Sequence, residues 1–170
     1  MTKPKRNVLE TPMEGQIKAN FDATYSQQDI TANAGIIIRN HERSVMGTCS
    51  YPLGMTRDPT IAEVKECLQA VIFWEEMGFQ NQVVEGNALT VIKKIKSDLM
   101  DRSVIGNIIY EIQRRNHNFI TLSFEHTPRK TNEAAHALAS RRYNLDNPIY
   151  WVEEVPTEIE PIIVNDQRRL

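Results

Sequence analysis

Cysteine is scarce in this chain: its two residues, Cys49 and Cys67, form no CxxC pairing. That is too little for a disulfide framework, and the four scattered histidines complete no zinc-binding pattern. Two buried, reduced thiols are expected instead. Long apolar runs are missing too. Nothing approaches the roughly 18 residues that a membrane-spanning helix needs, so no membrane partner is expected. The opening Met1-Thr-Lys-Pro-Lys-Arg-Asn7 lacks the apolar core of a secretory signal. An intracellular, reducing location, nuclear or cytoplasmic, is therefore expected. Neither sign of charge is in excess: 20 Lys and Arg against 22 Asp and Glu leave a formal charge of −2. This excludes a global pull toward nucleic acid, so any basic surface must be local. Internal repeats and low-complexity runs are also absent.

What is present is ordinary globular composition. Of 170 residues, 41% are hydrophobic and 25% charged, enough for one domain with a sizeable core. Residues 1–15, with Pro4, Pro12 and Gly15, read as a flexible leader. From Gln16, apolar Ile17, Ala19, Phe21 and Ala23 alternate with polar Lys18, Asn20, Asp22 and Thr24, the period of a strand. Ala34–Arg39 and Ser44–Ser50 read as two more strands, joined as a hairpin by the polar turn Asn40–Arg43. The period then becomes helical through Ile61, Val64, Leu68, Val71, Ile72 and Glu75, with Gly78 as a stop. A short strand Asn81–Glu85, helices over about 88–97 and 103–115, a strand Phe119–Glu125 and a helix Asn132–Tyr143 complete the pattern. The order β-β-β-α-β-α-α-β-α predicts an α/β fold, a mixed five-stranded sheet with helices on both faces. The domain spans 16–143; residues 144–170 form an acidic, proline-containing tail, expected to be extended and to pack through Tyr150 and Trp151.

Four polar residues at strand or helix ends could carry chemistry. Aspartate suits a strand poorly, so Asp22 stands in the first strand either as a solvent-facing residue or for a reason. Glu63 also fits a capping box, with Thr60 as the cap. Asn87 is a good helix N-cap. His136, among alanines in the last helix, fits a merely structural role. No one of the four by itself defines a site.

In order, however, the motifs Ala19-Asn-Phe-Asp-Ala23, Ala62-Glu63, Val84-Glu-Gly-Asn-Ala-Leu89 and His126-Thr-Pro-Arg-Lys-Thr-Asn-Glu-Ala-Ala-His-Ala-Leu-Ala139 resemble the ribonuclease H-like superfamily. They are most similar to plant, retroelement-related RNase H type-1 domains. The tail motif Tyr150-Trp-Val-Glu-Glu-Val-Pro156 also looks like that branch. The resemblance covers about residues 16–143. It implies hydrolysis of the RNA strand of an RNA–DNA hybrid by two Mg²⁺ ions roughly 4 Å apart, held by hard oxygen ligands. Family members place acids at the positions of Asp22, Glu63, Asn87 and His136. Here the third is a neutral amide and the fourth a histidine, which is familiar in the plant branch. The resemblance therefore implies Asp22 and Glu63 as the dependable ligands of Mg²⁺ (or Mn²⁺), with a second ion poorly compensated. Arg129 stands where many members carry a mobile histidine.

Local basic residues offer phosphate contacts: Arg129 and Lys130 before the last helix, and Lys93, Lys94 and Lys96 on an earlier one. Arg114, Arg115, Arg141 and Arg142 close helices, where the dipole alone favours cations. The leading expectation is an RNase H-type domain that binds RNA–DNA hybrid or duplex, with hydrolysis weakened or lost through Asn87 and His136. A fully active Mg²⁺- or Mn²⁺-dependent hybrid ribonuclease is the first alternative. A non-catalytic interaction module acting through the Trp151 tail is the second.

Overall fold

The computed structural model describes residues 15–97, 103–140 and 147–168. Three strands open the chain: β1 (Ile17–Ser26), β2 (Thr31–Arg39) and β3 (Val45–Met55). After them come α1 (Pro59–Met77), β4 (Asn81–Gly86), α2 (Leu89–Lys96), α3 (Val104–Arg114), β5 (Thr121–His126) and α4 (Glu133–Ala139). Short 3₁₀ turns at Arg115–Asn118 and Arg129–Thr131 precede β5 and α4. With a further strand β6 (Ile149–Val152), the sheet order is β5-β4-β1-β2-β3-β6. β1–β2 and β2–β3 are antiparallel, while β1–β4 and β4–β5 are parallel. The expected mixed sheet with helices on both faces is what the chain forms, with one strand more than the five expected.

That sixth strand comes from the tail. β6 (Ile149–Val152) pairs antiparallel with the outer edge of β3, and α5 (Glu160–Arg168) follows it. The tail is thus not simply extended. Tyr150 packs its ring against Phe73, centroids 5.2 Å apart. Trp151 joins a cluster with Ile37, Ala134, Leu138, Ile159 and Ile163. The proline-broken composition hid a strand of only four residues, too short to show a period. The helix expected to run to Tyr143 is described as ending at Ala139, and residues 141–143 lie outside the described ones.

Two cores flank the sheet. On one face Ala19, Phe21, Ile36 and Ile38 meet Val71, Trp74, Val91 and Ile112 from α1, α2 and α3. On the other, Ile37 lies beneath α4 and α5. Burying side chains of this size stabilises by about 1.5–3 kcal/mol each. The buried face of α1 is Ala62, Val64, Glu66, Cys67, Ala70, Val71, Phe73 and Trp74. It is turned away from the expected stripe, since Ile61, Leu68 and Ile72 remain partly exposed. Cys49 and Cys67 are buried free thiols, as expected. Burial chiefly, and the charge of Glu76 next, push the Cys49 thiol up to about 12, so it is inert as a nucleophile. Among the described residues no helix is long and apolar enough to cross a membrane.

Two glycines are there because nothing larger fits. A Cβ on Gly35 of β2 would stand 2.2 Å from the Ala135 carbonyl oxygen and 2.4 Å from the Ala139 nitrogen, both backbone atoms of α4. A Cβ on Gly86 would meet the Phe21 ring at 2.3 Å. The first sets the depth of α4 over the sheet, and the second lets β4 end against β1. Gly35→Ala is expected to force α4 outward and cost about 1–3 kcal/mol, the usual cost of overpacking, read as a lower urea midpoint with an unchanged slope.

Candidate metal and nucleic-acid site

β1 and β4 run parallel side by side, and their pairing runs out at Phe21–Gly86. The next residues on the two strands are Asp22 and Asn87, at the carboxyl ends where open α/β sheets bind ligands. Asp22 is 6% exposed and shares a register position with Gly35. Its side chain points to the α4 face rather than to solvent. There the Oδ2 atom meets Nδ1 of His136 at 2.6 Å, while Oδ1 accepts from the amide of Ala23. Burial raises the Asp22 pKa above its ordinary value, against the hydrogen bond and charge of His136, the Ala23 amide and the charge of Arg129.

α4 is held in this position from both ends. The side-chain amide of Asn132 donates to the carbonyl of Phe21 at 2.7 Å, one residue before Asp22. The Thr24 hydroxyl donates to the Ala139 carbonyl at 2.7 Å. The loop before α4 is tied to β4, because the Thr127 amide donates to the Gly86 carbonyl at 2.9 Å. The hydroxyls of Thr127 and Thr131, 2.6 Å apart, close the turn. It carries Arg129, whose Nη2 lies 3.4 and 3.3 Å from the two ring nitrogens of His136. The turn thus packs a guanidinium against the imidazole that meets Asp22.

Glu63 lies near the start of α1 and is half-buried. The capping box expected to occupy it does not form. Asp58 is the N-cap, accepting from the Thr60 amide at 2.9 Å, and Pro59 takes the first helical turn. An aspartate before a proline is a strong helix start, and it leaves Glu63 out of the cap. Burial, then the charges of Asp22 and Asp58, raise the Glu63 pKa. Asn87 is not a cap either: α2 begins after Ala88, with no side-chain cap. Asn87 is half-buried beside the site.

One feature went unread in the sequence. Glu66, one turn beyond Glu63, is buried with its Oε2 unpartnered. Burial first, then the charges of Asp22 and Glu63, hold its pKa well above the ordinary carboxylate value. A glutamate between Ala62 and Ala70 on a helical stripe was the available signal. Glu85 faces the same side as Asp22 but is committed elsewhere. Its Oε1 pairs with Lys18 Nζ at 2.6 Å and its Oε2 accepts from Asn20 at 3.1 Å. Asn20 in turn accepts from Arg39.

The expected basic residues fall into three groups. Arg129, Lys130, Lys93, Lys94 and Lys96 are exposed. Arg114 pairs with Glu111, and Arg115 with Glu75, each at 2.9 Å. Those two pairs make dipole and ion pairing the better account of both arginines. Arg141 and Arg142 lie outside the described residues.

As placed, no three His, Cys, Asp or Glu side chains among the described residues stand close enough to grip one ion. Burial first, then the charges of nearby acids, raise the pKa values of Glu63 and Glu66, and the side chains as placed do not form a ready cation cage. The donor set does not suit two ions. Asn87 brings no charge, and His136 already uses a nitrogen on Asp22. Unit like charges about 4 Å apart repel by about 4 kcal/mol at moderate dielectric, and a neutral amide does little against that.

Comparison with known proteins shows the family and the fold. A family described as reverse transcriptase-like matches residues 20–142. Among solved structures, RNase H1 from the halophilic archaeon Halobacterium salinarum is 21% identical. The match covers 73% of this chain and 94% of that one, with a TM-score of 0.65. The N-terminal RNase H domain of a Mycobacterium tuberculosis protein is 16% identical over 73% of this chain and 90% of that one, with a TM-score of 0.64. An RNase H1 isolated from compost, solved in complex with RNA/DNA hybrid, is 18% identical, with 72% and 92% coverage and a TM-score of 0.63. At these identities the likeness is one of fold. No curated protein matches the sequence.

The buried acids give a pH signature. Their pKa values are raised on folding, so the folded chain binds more protons than the unfolded one above the ordinary values of 3.8 for Asp and 4.5 for Glu. Their contribution to stability is therefore full below that range and is lost as pH rises through the folded values. In metal-free buffer the urea midpoint is expected to fall from the acid side toward neutrality, and Glu66→Gln to flatten that fall. A midpoint that rises over the same interval, or a slope unchanged in the variant, contradicts this assignment.

Proposed function

The chain belongs to the reverse transcriptase-like family of the ribonuclease H-like superfamily, and on that premise we propose that it is a nucleic-acid-binding domain for RNA–DNA hybrid or duplex whose metal-dependent hydrolysis is weakened or lost. One observation carries the reading. The charge partner of Asp22 is His136 at 2.6 Å, with Arg129 over the imidazole, where the family's chemistry calls for metal ions. When a divalent cation binds, Asp22 and Glu63 hold it. It would supply the activation of a water for phosphodiester hydrolysis. Asn87 offers only a neutral carbonyl oxygen, and His136 a nitrogen poorly suited to Mg²⁺.

Phosphate binding survives the loss of acids and gains from it. Arg129 and Lys130 sit at the start of α4, away from any helix C-terminus whose dipole would explain them. Lys93, Lys94 and Lys96 extend along α2. Contacts of this kind grip the backbone without reading bases. The tail argues against the interaction-module reading, because Trp151 is partly buried against the chain's own hydrophobic cluster.

Two measurements test the proposal. The chain is expected to bind hybrid with an affinity that falls steeply with salt, and replacing Arg129 and Lys130 by alanine should lower the log–log salt slope by about 2. Salt-independent failure to bind any hybrid or duplex contradicts it. Asn87→Asp is expected to raise Mg²⁺-dependent hybrid cleavage by about tenfold or more. No gain, under conditions where a competent RNase H cuts, contradicts the account of the weakened site. Full cleavage by the unaltered chain, lost in Asp22→Asn, favours the active enzyme instead.

A further inference from the structure

The tail lies beyond residue 142, where the match to the family ends, yet it packs on the helix that carries His136. From the sheet edge at β6 the chain returns toward β2 and α4. The Glu153 amide donates to the Met46 carbonyl at 3.0 Å, and the Thr48 hydroxyl to the Glu154 carbonyl at 3.1 Å. Pro156 is buried, and its carbonyl accepts from the Ile159 amide at 2.8 Å. Ile159 and Ile163 stand four residues apart, and so on one side of the turn; they are 2% and 6% exposed. They form one buried cluster with Ala134, Ala135 and Leu138 of α4 and Ile37 of β2. The bulk in that cluster is not α4's own. Three of the four buried residues of α4 are alanines, Ala134, Ala135 and Ala139, and a methyl group removes little apolar surface from water. Seven residues are too few to hold a helix alone. The tail supplies two isoleucines and, at the margin of the cluster, Trp151, Val155 and Ile162.

Resting on the reading of Arg129 and Lys130 as phosphate contacts, we propose that the tail is part of the nucleic-acid site. Ile159 and Ile163 are positioning residues that hold α4 where His136 meets Asp22 and steadies Arg129. The link is short. Ala135, inside the cluster, is the residue before His136, so a shift of α4 at the cluster carries the imidazole with it. The contact between His136 and Asp22 is 2.6 Å, and a displacement of about 1 Å takes it out of hydrogen-bond range. Arg129, whose Nη2 lies 3.4 and 3.3 Å from the ring nitrogens, then loses the ring it packs on.

The test compares variants of the intact, metal-free chain by thermal unfolding, by RNA–DNA hybrid binding and by nitrogen-edited NMR of His136, the last two at a temperature where each variant is folded. Ile163→Ala is expected to lose the His136 Nδ1 proton signal and to weaken hybrid binding by about threefold or more, the size of effect that packed side chains transmit to a distant site. Ile163→Leu, with the same number of carbons, should restore both. Ile112→Ala removes the same group from α3, in the core on the other face of the sheet. It should lower the unfolding midpoint as Ile163→Ala does, yet leave the imidazole signal and the hybrid affinity unchanged. A merely structural tail would make the two alanine variants alike, and that result overturns the proposal. So does Ile163→Ala with either readout unmoved. If Ile163→Ala does not fold, Ile163→Val is the milder step: a weakened imidazole signal supports the proposal, and an unchanged one overturns it. If the unaltered chain binds no hybrid, the nucleic-acid reading falls and the imidazole signal alone decides whether the tail positions α4.

Discussion

A carboxylate buried at the end of a central strand must find positive charge, and the way Asp22 finds it organises this end of the molecule. His136 supplies a hydrogen bond at 2.6 Å, and Arg129 Nη2 stands about equally far from both ring nitrogens, at 3.4 and 3.3 Å. Much of the surrounding packing fixes that distance. Asn132 ties the start of α4 to Phe21, Thr24 ties its end to β1, and Gly35 removes the side chain that would hold the helix off. A seven-residue helix has little stability of its own. Its place is set by these anchors and by the α5 side chains packed against it.

The charges divide by side. Acids come from β1 and α1, cations from the loop before α4. Such a crevice offers a phosphodiester a cationic wall whether or not an ion is present, and an ion must compete with His136 for Asp22. Lys18 and Glu85 settle a second buried pair of charges nearby. Their pairing across β1 and β4 helps fix strand register, since a misplaced register would leave a buried charge without its partner, a costly outcome. It also keeps Glu85 out of the site.

How much of this was legible in the sequence depended on the range of the signal. Strands β1 to β4 and α1 announced themselves by period, because both faces of the central sheet are covered and the helices are amphipathic. Asp22, Glu63, Asn87 and His136 were proposed from motif order, and of these the structure shows Asp22 in direct contact with His136. Cap assignments failed at Thr60 and Asn87, where a local rule had two candidates and neighbouring residues decided; Asp58 with Pro59 outcompeted Thr60. β6 was too short to carry a period. Glu66 was missed for a different reason: whether a glutamate on an alanine stripe is buried depends on what α1 packs against, which is long-range information. The Asp22–His136 contact, 114 residues apart in the chain, is of the same kind.

The contact at Asp22 can be observed directly by nitrogen-edited NMR of the histidine side chains in metal-free protein. The account predicts a strongly deshielded proton at Nδ1 of His136 that is lost in Asp22→Asn, with the other imidazoles unmoved. A His136 spectrum indifferent to that substitution would contradict it.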